Sequence, residues 1–147
     1  MRRAVALGLA VPLLAGLVVG CGSEQDAYCG AVEERQQELS EIVGSGDPDA
    51  LLRALTIFRE LENEAPRDIS DEWQQVVSRV EALQDALEAA GVDPTTYDRD
   101  EPPADLAAED RAAIDAAAAE LGGGTTLRAL QDLDQQARDV CKTPLTL

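Results

Sequence analysis

The chain has 147 residues, enough for one domain, with 29 Asp and Glu against 12 Lys and Arg, no histidine and a formal charge of −17. That balance excludes a nucleic-acid binder, which needs clustered Lys and Arg for phosphate, and a basic patch for anionic lipid head groups. Apolar residues are 45% of the chain and aromatics only 3%, so a core is expected and must be built of Leu, Val, Ile and Ala.

Residues 1–20 read as an export signal. Met1-Arg2-Arg3 is a short positive start, and Ala4 to Val19 carries no charge. Those residues, interrupted by two Gly and Pro12, reach about 24 Å as a helix, short of a hydrocarbon core of about 30 Å. A positive start, an apolar stretch and small residues at its end fit a secretory signal. Arg2-Arg3 lacks the rest of a twin-arginine motif, which leaves the export route open. Val18-Val19-Gly20-Cys21 resembles a bacterial lipobox. The resemblance implies a diacylglyceryl group on the Cys21 thiol and cleavage between Gly20 and Cys21. It places the mature protein on the outer face of the cell membrane, held by its N-terminal lipid. Losing Arg2 and Arg3 takes the charge from −17 to −19. Residues 21–27 are polar and without periodicity, and are expected to form a short lipidated tether.

The rest is dominated by helical periodicity. A first helix is expected from about Tyr28 to Val43, with Tyr28, Val32, Leu39, Ile42 and Val43 on one face. Gly44-Ser45-Gly46 stops it. Asp47 is positioned as an N-cap and Pro48 as the first residue of a second helix reaching about Glu64, with Leu51, Leu52, Leu55, Phe58 and Leu61 inward. Pro66 ends it. A third helix begins near Ile69 or Ser70, with Ser70 as cap and Asp71 and Glu72 in its first turn. Trp73, Val76, Val77, Val80, Leu83 and Leu87 form its stripe, and Gly91 is a C-terminal stop. Val92 to Pro103 is a loop. A fourth helix, about Ala104 to Leu121, is Ala-rich, with Leu106, Ile114, Ala117 and Leu121 as its best inward positions. Thr125 caps a fifth that ends near Lys142, with Leu127, Leu130, Leu133, Ala137, Val140 and Cys141 inward.

Such helices on short connections bury their stripes against each other. The expected fold is an all-α, antiparallel four- to five-helix bundle over residues 28–142, followed by a C-terminal tail, 143–147. Cys29 starts the first helix and Cys141 ends the last, and an exported setting permits a disulfide between them. "AYCGAVEERQQELSE", "FRELENEAPRDISDEWQQVV", "GVDP" and the closing cysteine together resemble small actinobacterial lipoproteins of uncharacterised function. The likeness covers roughly Tyr28 to Cys141. It supports the bundle and the disulfide, and implies no catalytic residue.

Without histidine, a Ser or Thr nucleophile lacks its usual base, and Lys142, the only lysine, sits at the C-terminal edge. No enzyme activity and no cofactor are expected. Asp98, Asp100 and Glu101, with Asp93 and Asp105 nearby, are rich in oxygen ligands, but they lack the turn glycine and spacing of a calcium loop. A solvated acidic loop is the favoured reading, with no metal. Trp73, in phase with the third helix's stripe, reads as a core anchor. Tyr97, an aromatic among acids in a loop, is a candidate contact residue with Asp98, Asp100 and Glu101. The functional expectation is a noncatalytic cell-envelope binding module with an envelope protein partner. The alternative is a small-ligand accessory or sensor lipoprotein.

Overall fold

The computed structural model describes residues 21–147. The expected signal segment, residues 1–20, and the side chain of Cys21, the expected lipidation site, lie outside the described residues. The described chain forms five helices: α1 (Cys21–Gly44), α2 (Ala50–Glu64), α3 (Ser70–Ala90), α4 (Ala108–Leu121) and α5 (Gly124–Gln136). A π-helical turn, Ala137–Cys141, continues α5. Among the described residues there is no strand, and no helix is long and apolar enough to cross a membrane.

The packing is an antiparallel bundle centred on α3. α1 packs on α2 and α2 on α3; α5 lies against α3, and its π turn returns to α1. α4 packs on α3 from outside this ring and touches α5. The core runs through Tyr28, Val32 and Leu39 of α1, Ala54, Leu55, Phe58 and Leu61 of α2, and Trp73, Val76, Val77 and Val80 of α3. Leu121, Ala129, Leu133 and Ala137 complete it. These are largely the positions that the three-to-four spacing selects.

The Cys29–Cys141 disulfide is present, with Cα atoms 5.0 Å apart across a separation of 112 residues. It joins the first helix to the last, as expected from their positions. The tail folds back beside it. Leu145 is buried, and its N–H donates to Asp134 Oδ1 at 3.1 Å. Gln36 Nε2 donates to the Pro144 carbonyl at 2.8 Å, which ties the tail to α1.

Several boundaries differ from expectation. α1 begins at Cys21, so residues 21–27 are helical and not an extended tether. Seven residues rise about 10 Å in a helix, giving a stiff spacer where a flexible one was expected. α2 starts at Ala50, because the Asp47 carboxylate is taken by Arg53 at 2.8 Å and the Asp47 carbonyl closes a turn onto the Ala50 N–H. Ser70 does not cap α3: its hydroxyl donates backward to the Arg67 carbonyl at 3.0 Å, and Ile69 holds the cap position. Gly91 stops α3 as expected, at a left-handed φ of 66°, with the Val92 N–H bonded back to the Leu87 carbonyl. α4 starts at Ala108, because the Pro103 carbonyl accepts from the Leu106 N–H in a separate turn.

The expected inward positions Val43, Leu51, Leu127 and Val140 are exposed. For Val140 the π turn is the cause. It spans more residues than an α turn, so Cys141 stays over Ala137 while Val140 swings outward.

Candidate functional site

The candidate site grows from the composition of α4. Its sequence, AEDRAAIDAAAAEL, offers only Ile114 and Leu121 as buried residues. Alanines let α4 lie close on α3, but they cannot reach across to α2. Among the described residues, no Cα of α2 comes within 8 Å of one of α4. A groove is left between those two helices, with α3 as its floor.

Two cavities occupy this groove and share Ala118. One, of about 270 Å³, lies over Phe58, Val76, Val80 and Leu121, with Leu51 and Leu127 at its mouth. The other, of about 540 Å³, is lined by Leu52, Leu83, Leu87 and Ile114 and closed by the α3–α4 loop through Tyr97, Asp98 and Arg99. The exposure of Leu51 at 38% and Leu127 at 49% therefore marks the edges of a channel, and neither is an isolated surface residue.

The loop that closes the groove has its own order. Asp93 carboxylate Oδ1 accepts from the Thr95 N–H at 2.9 Å and the Thr95 hydroxyl at 2.7 Å. The Thr95 hydroxyl, then the Thr95 N–H, hold the Asp93 carboxyl below its ordinary value. The Asp93 carbonyl accepts from the N–H groups of Thr96 at 3.1 Å and Tyr97 at 2.9 Å, a single turn that fixes the tyrosine. Arg99 pins the loop to α4 through Asp115 at 3.2 Å.

Tyr97 is half-buried and lines both the 540 Å³ cavity and a third of about 390 Å³ that is lined also by Asp93, Leu106, Asp105 and Asp110. Its hydroxyl oxygen is buried and has no hydrogen-bond partner in the protein. Tyr97 is the loop aromatic that the sequence offers as a contact residue. The residue is half-buried, and its hydroxyl is the part that nothing in the protein satisfies.

The other loop candidates separate. Asp98 lines the larger cavity and accepts from the Asp100 N–H at 2.8 Å. Asp100 and Glu101 are exposed and line neither cavity beside Tyr97. Among the described residues, no three acidic, cysteine or histidine side chains converge as a metal site would require.

Trp73 is the core anchor expected from its phase, one turn before Val76 and beside Phe58, both of which line the smaller cavity. It is fully buried, its Nε1 donates to the Tyr28 hydroxyl at 3.2 Å, and the two rings meet edge to face at 6.5 Å. Burial pushes the Tyr28 phenol up to about 12, and the hydrogen bond from Trp73 offsets part of that rise. Phe58 also packs on the indole, its ring centroid 5.9 Å away.

No family model, curated protein or solved structure matches this chain. The chemistry of the site therefore rests on its own residues. An aliphatic floor, one buried hydroxyl and a fringe of carboxylates can bind an apolar body with a polar or positively charged end. The groove was missed in the sequence because Leu51 and Leu127 fall in phase with inward stripes. The signal for it was the run of alanines in α4.

Proposed function

We propose that this chain is a lipid-anchored, noncatalytic binding module on the outer face of the cell membrane, and that it holds a partner protein of the envelope in the α2–α4 groove. The observation that carries the reading is the groove itself, an open apolar channel between α2 and α4. A catalytic site would more often be a concave pocket with converging titratable groups. The anchor rests on the lipobox-like Val18-Val19-Gly20-Cys21, and the helical start of α1 would set the bundle about 10 Å from the lipid.

The test has two arms. Cys21→Ser should release the protein from the membrane fraction, and full retention would sink the anchor. A photo-reactive residue in place of Leu127, in intact cells, should crosslink to an envelope protein, and Leu51→Glu in the same chain should abolish the crosslink. Crosslinks indifferent to Leu51→Glu would remove the groove as the docking surface.

A small-ligand reading is favoured by one feature, the buried Tyr97 hydroxyl beside the 540 Å³ cavity. Native mass spectrometry of the purified protein separates the two. A bound small molecule of constant mass, lost in Tyr97→Ala, would replace the protein-partner reading.

A further inference from the structure

The groove has a length, a polarity and a charge, and together these describe its occupant. Its floor runs along α3 from Val76 to Leu87, which is about 17 Å, or three helical turns. Its walls are helix faces, which offer side chains and no free backbone edge. An added strand would leave its own N–H and C=O groups unpaired there, whereas a helix satisfies its backbone internally.

The two ends differ. At one end are the exposed aliphatic residues Leu51 and Leu127. At the other, Asp98 lines the cavity on one side of Tyr97, and Asp93, Asp105 and Asp110 line the cavity on the other. Among the described residues none of these four acids is in an ion pair, and the nearby Arg99 and Arg111 are both engaged by Asp115. Arg99 and Arg111 share that one carboxylate, so this end keeps a net negative charge, with four unpaired acids against one excess guanidinium. The Tyr97 hydroxyl at the same end has no partner in the protein and is free to accept a hydrogen bond from a cation when an occupant shifts the loop enough to reach it.

Building on the binding-module reading above, we infer that the groove takes an amphipathic helix of about three turns from a partner protein, its apolar face over α3 and its Lys or Arg residues at the Tyr97 end. A second copy of this chain fits poorly, since each carries a charge of −17 and would bring acid against acid. An anionic lipid surface is disfavoured for the same reason. An acidic or neutral helix would bury its apolar face equally well but leave the excess negative charge at the loop end uncompensated.

The test is selection from a display library of random peptides of about 16 residues, long enough for three turns with flanks. The target is the full anchored chain in nanodiscs of neutral phosphatidylcholine, with empty nanodiscs as counter-selection. Enriched peptides should carry apolar residues at helical spacing and Lys or Arg at one end. The best of them, labelled for fluorescence anisotropy, should bind about tenfold more weakly to the Leu51→Glu/Leu127→Glu double variant. Binding should also weaken severalfold to Asp98→Asn/Asp105→Asn and as salt rises from about 50 to about 500 mM. All four positions are exposed, and an unchanged circular-dichroism melt confirms the fold of each variant. Groove-dependent peptides that are neutral or acidic would overturn the basic helix and leave groove docking standing. Selection of no peptide whose binding depends on Leu51 and Leu127 would overturn both.

Discussion

The two tyrosines of this chain sit in opposite situations. Tyr28 is fully buried, its hydroxyl accepts from Trp73, and the disulfide at Cys29 follows it in α1. Tyr97 is half-buried at the end of a groove, and its hydroxyl is shut from water with nothing to bond. A buried polar group without a partner costs about 1–3 kcal/mol, while a satisfied one adds about 1 kcal/mol net. The first region is built to stay folded. The second keeps a bonding capacity that the protein itself does not use, and α4 leaves the channel beside it unfilled. The difference separates a hydroxyl that serves the fold from one left unused at the loop end of the groove.

The contrast breaks most readily at the Tyr28 pole. Trp73→Ala should cost about 4–5 kcal/mol, because it leaves a cavity and strips the Tyr28 hydroxyl of its donor. Urea unfolding followed by circular dichroism measures it, and a loss below about 1 kcal/mol would show that the indole is not the anchor of the core. Cys29→Ser with Cys141→Ser should cost about 3–4 kcal/mol, since the bridge constrains a loop spanning 112 residues in the unfolded chain. The double variant should lower the melting temperature, and reduction should lower the wild type to the same value.

Much of the Tyr28 pole is legible in the sequence. The stripe of α3 from Trp73 to Leu87 is regular enough to assign its buried face, and cysteines near opposite ends of the helical segment invite the bridge. The remainder is hidden for specific reasons. Residues 21–27 carry no apolar period because that turn of α1 protrudes with its described side chains exposed, so they do not read as helix. Val140 is out of phase because of a π turn that periodicity assumes away. Leu51 and Leu127 have the spacing of core residues, yet nothing covers them. Spacing reports which face is apolar, and whether a neighbour exists to cover it depends on the alanines of α4, a tertiary fact. Of the loop candidates, Tyr97 and Asp98 meet the groove, whereas Asp100 and Glu101 point to no cavity beside it.

A smaller effect is expected in alkali. The Tyr28 phenol is pushed up to about 12 in the folded protein from 10.0. The unfolded chain therefore loses this proton first. Above pH 10 the unfolded state binds fewer protons than the native state, and stability falls as pH rises toward 12. The stabilisation is complete below pH 10, and the loss is of order 2 kcal/mol. Other groups titrate in this range, so the informative quantity is the difference between wild type and Tyr28→Phe. At neutral pH, Tyr28→Phe should cost about 1 kcal/mol, because Trp73 Nε1 loses its acceptor. That advantage of the wild type should shrink and then reverse between pH 10 and 12. A difference that is flat with pH would mean that the phenol is hydrated in the native state.

The smallest expected change is the most discriminating. Tyr97→Phe removes a hydroxyl that has no partner in the protein and leaves the ring in place. Nothing made in the folded state is lost, and a desolvation cost is relieved. Stability should therefore stay within about 0.5 kcal/mol of wild type or rise. If the two tyrosines differ as their surroundings indicate, the same atom deleted from each gives a loss at Tyr28 and none at Tyr97. A loss of about 1 kcal/mol at Tyr97 would mean that its hydroxyl is satisfied in solution, by water entering the groove, and that it is not reserved for an occupant. Binding completes the comparison. A basic peptide that donates to this oxygen should bind several-fold more weakly to Tyr97→Phe, while Tyr28→Phe should leave its affinity unchanged. A hydroxyl whose removal leaves folding intact and weakens binding serves the partner; one whose removal weakens folding alone serves the core.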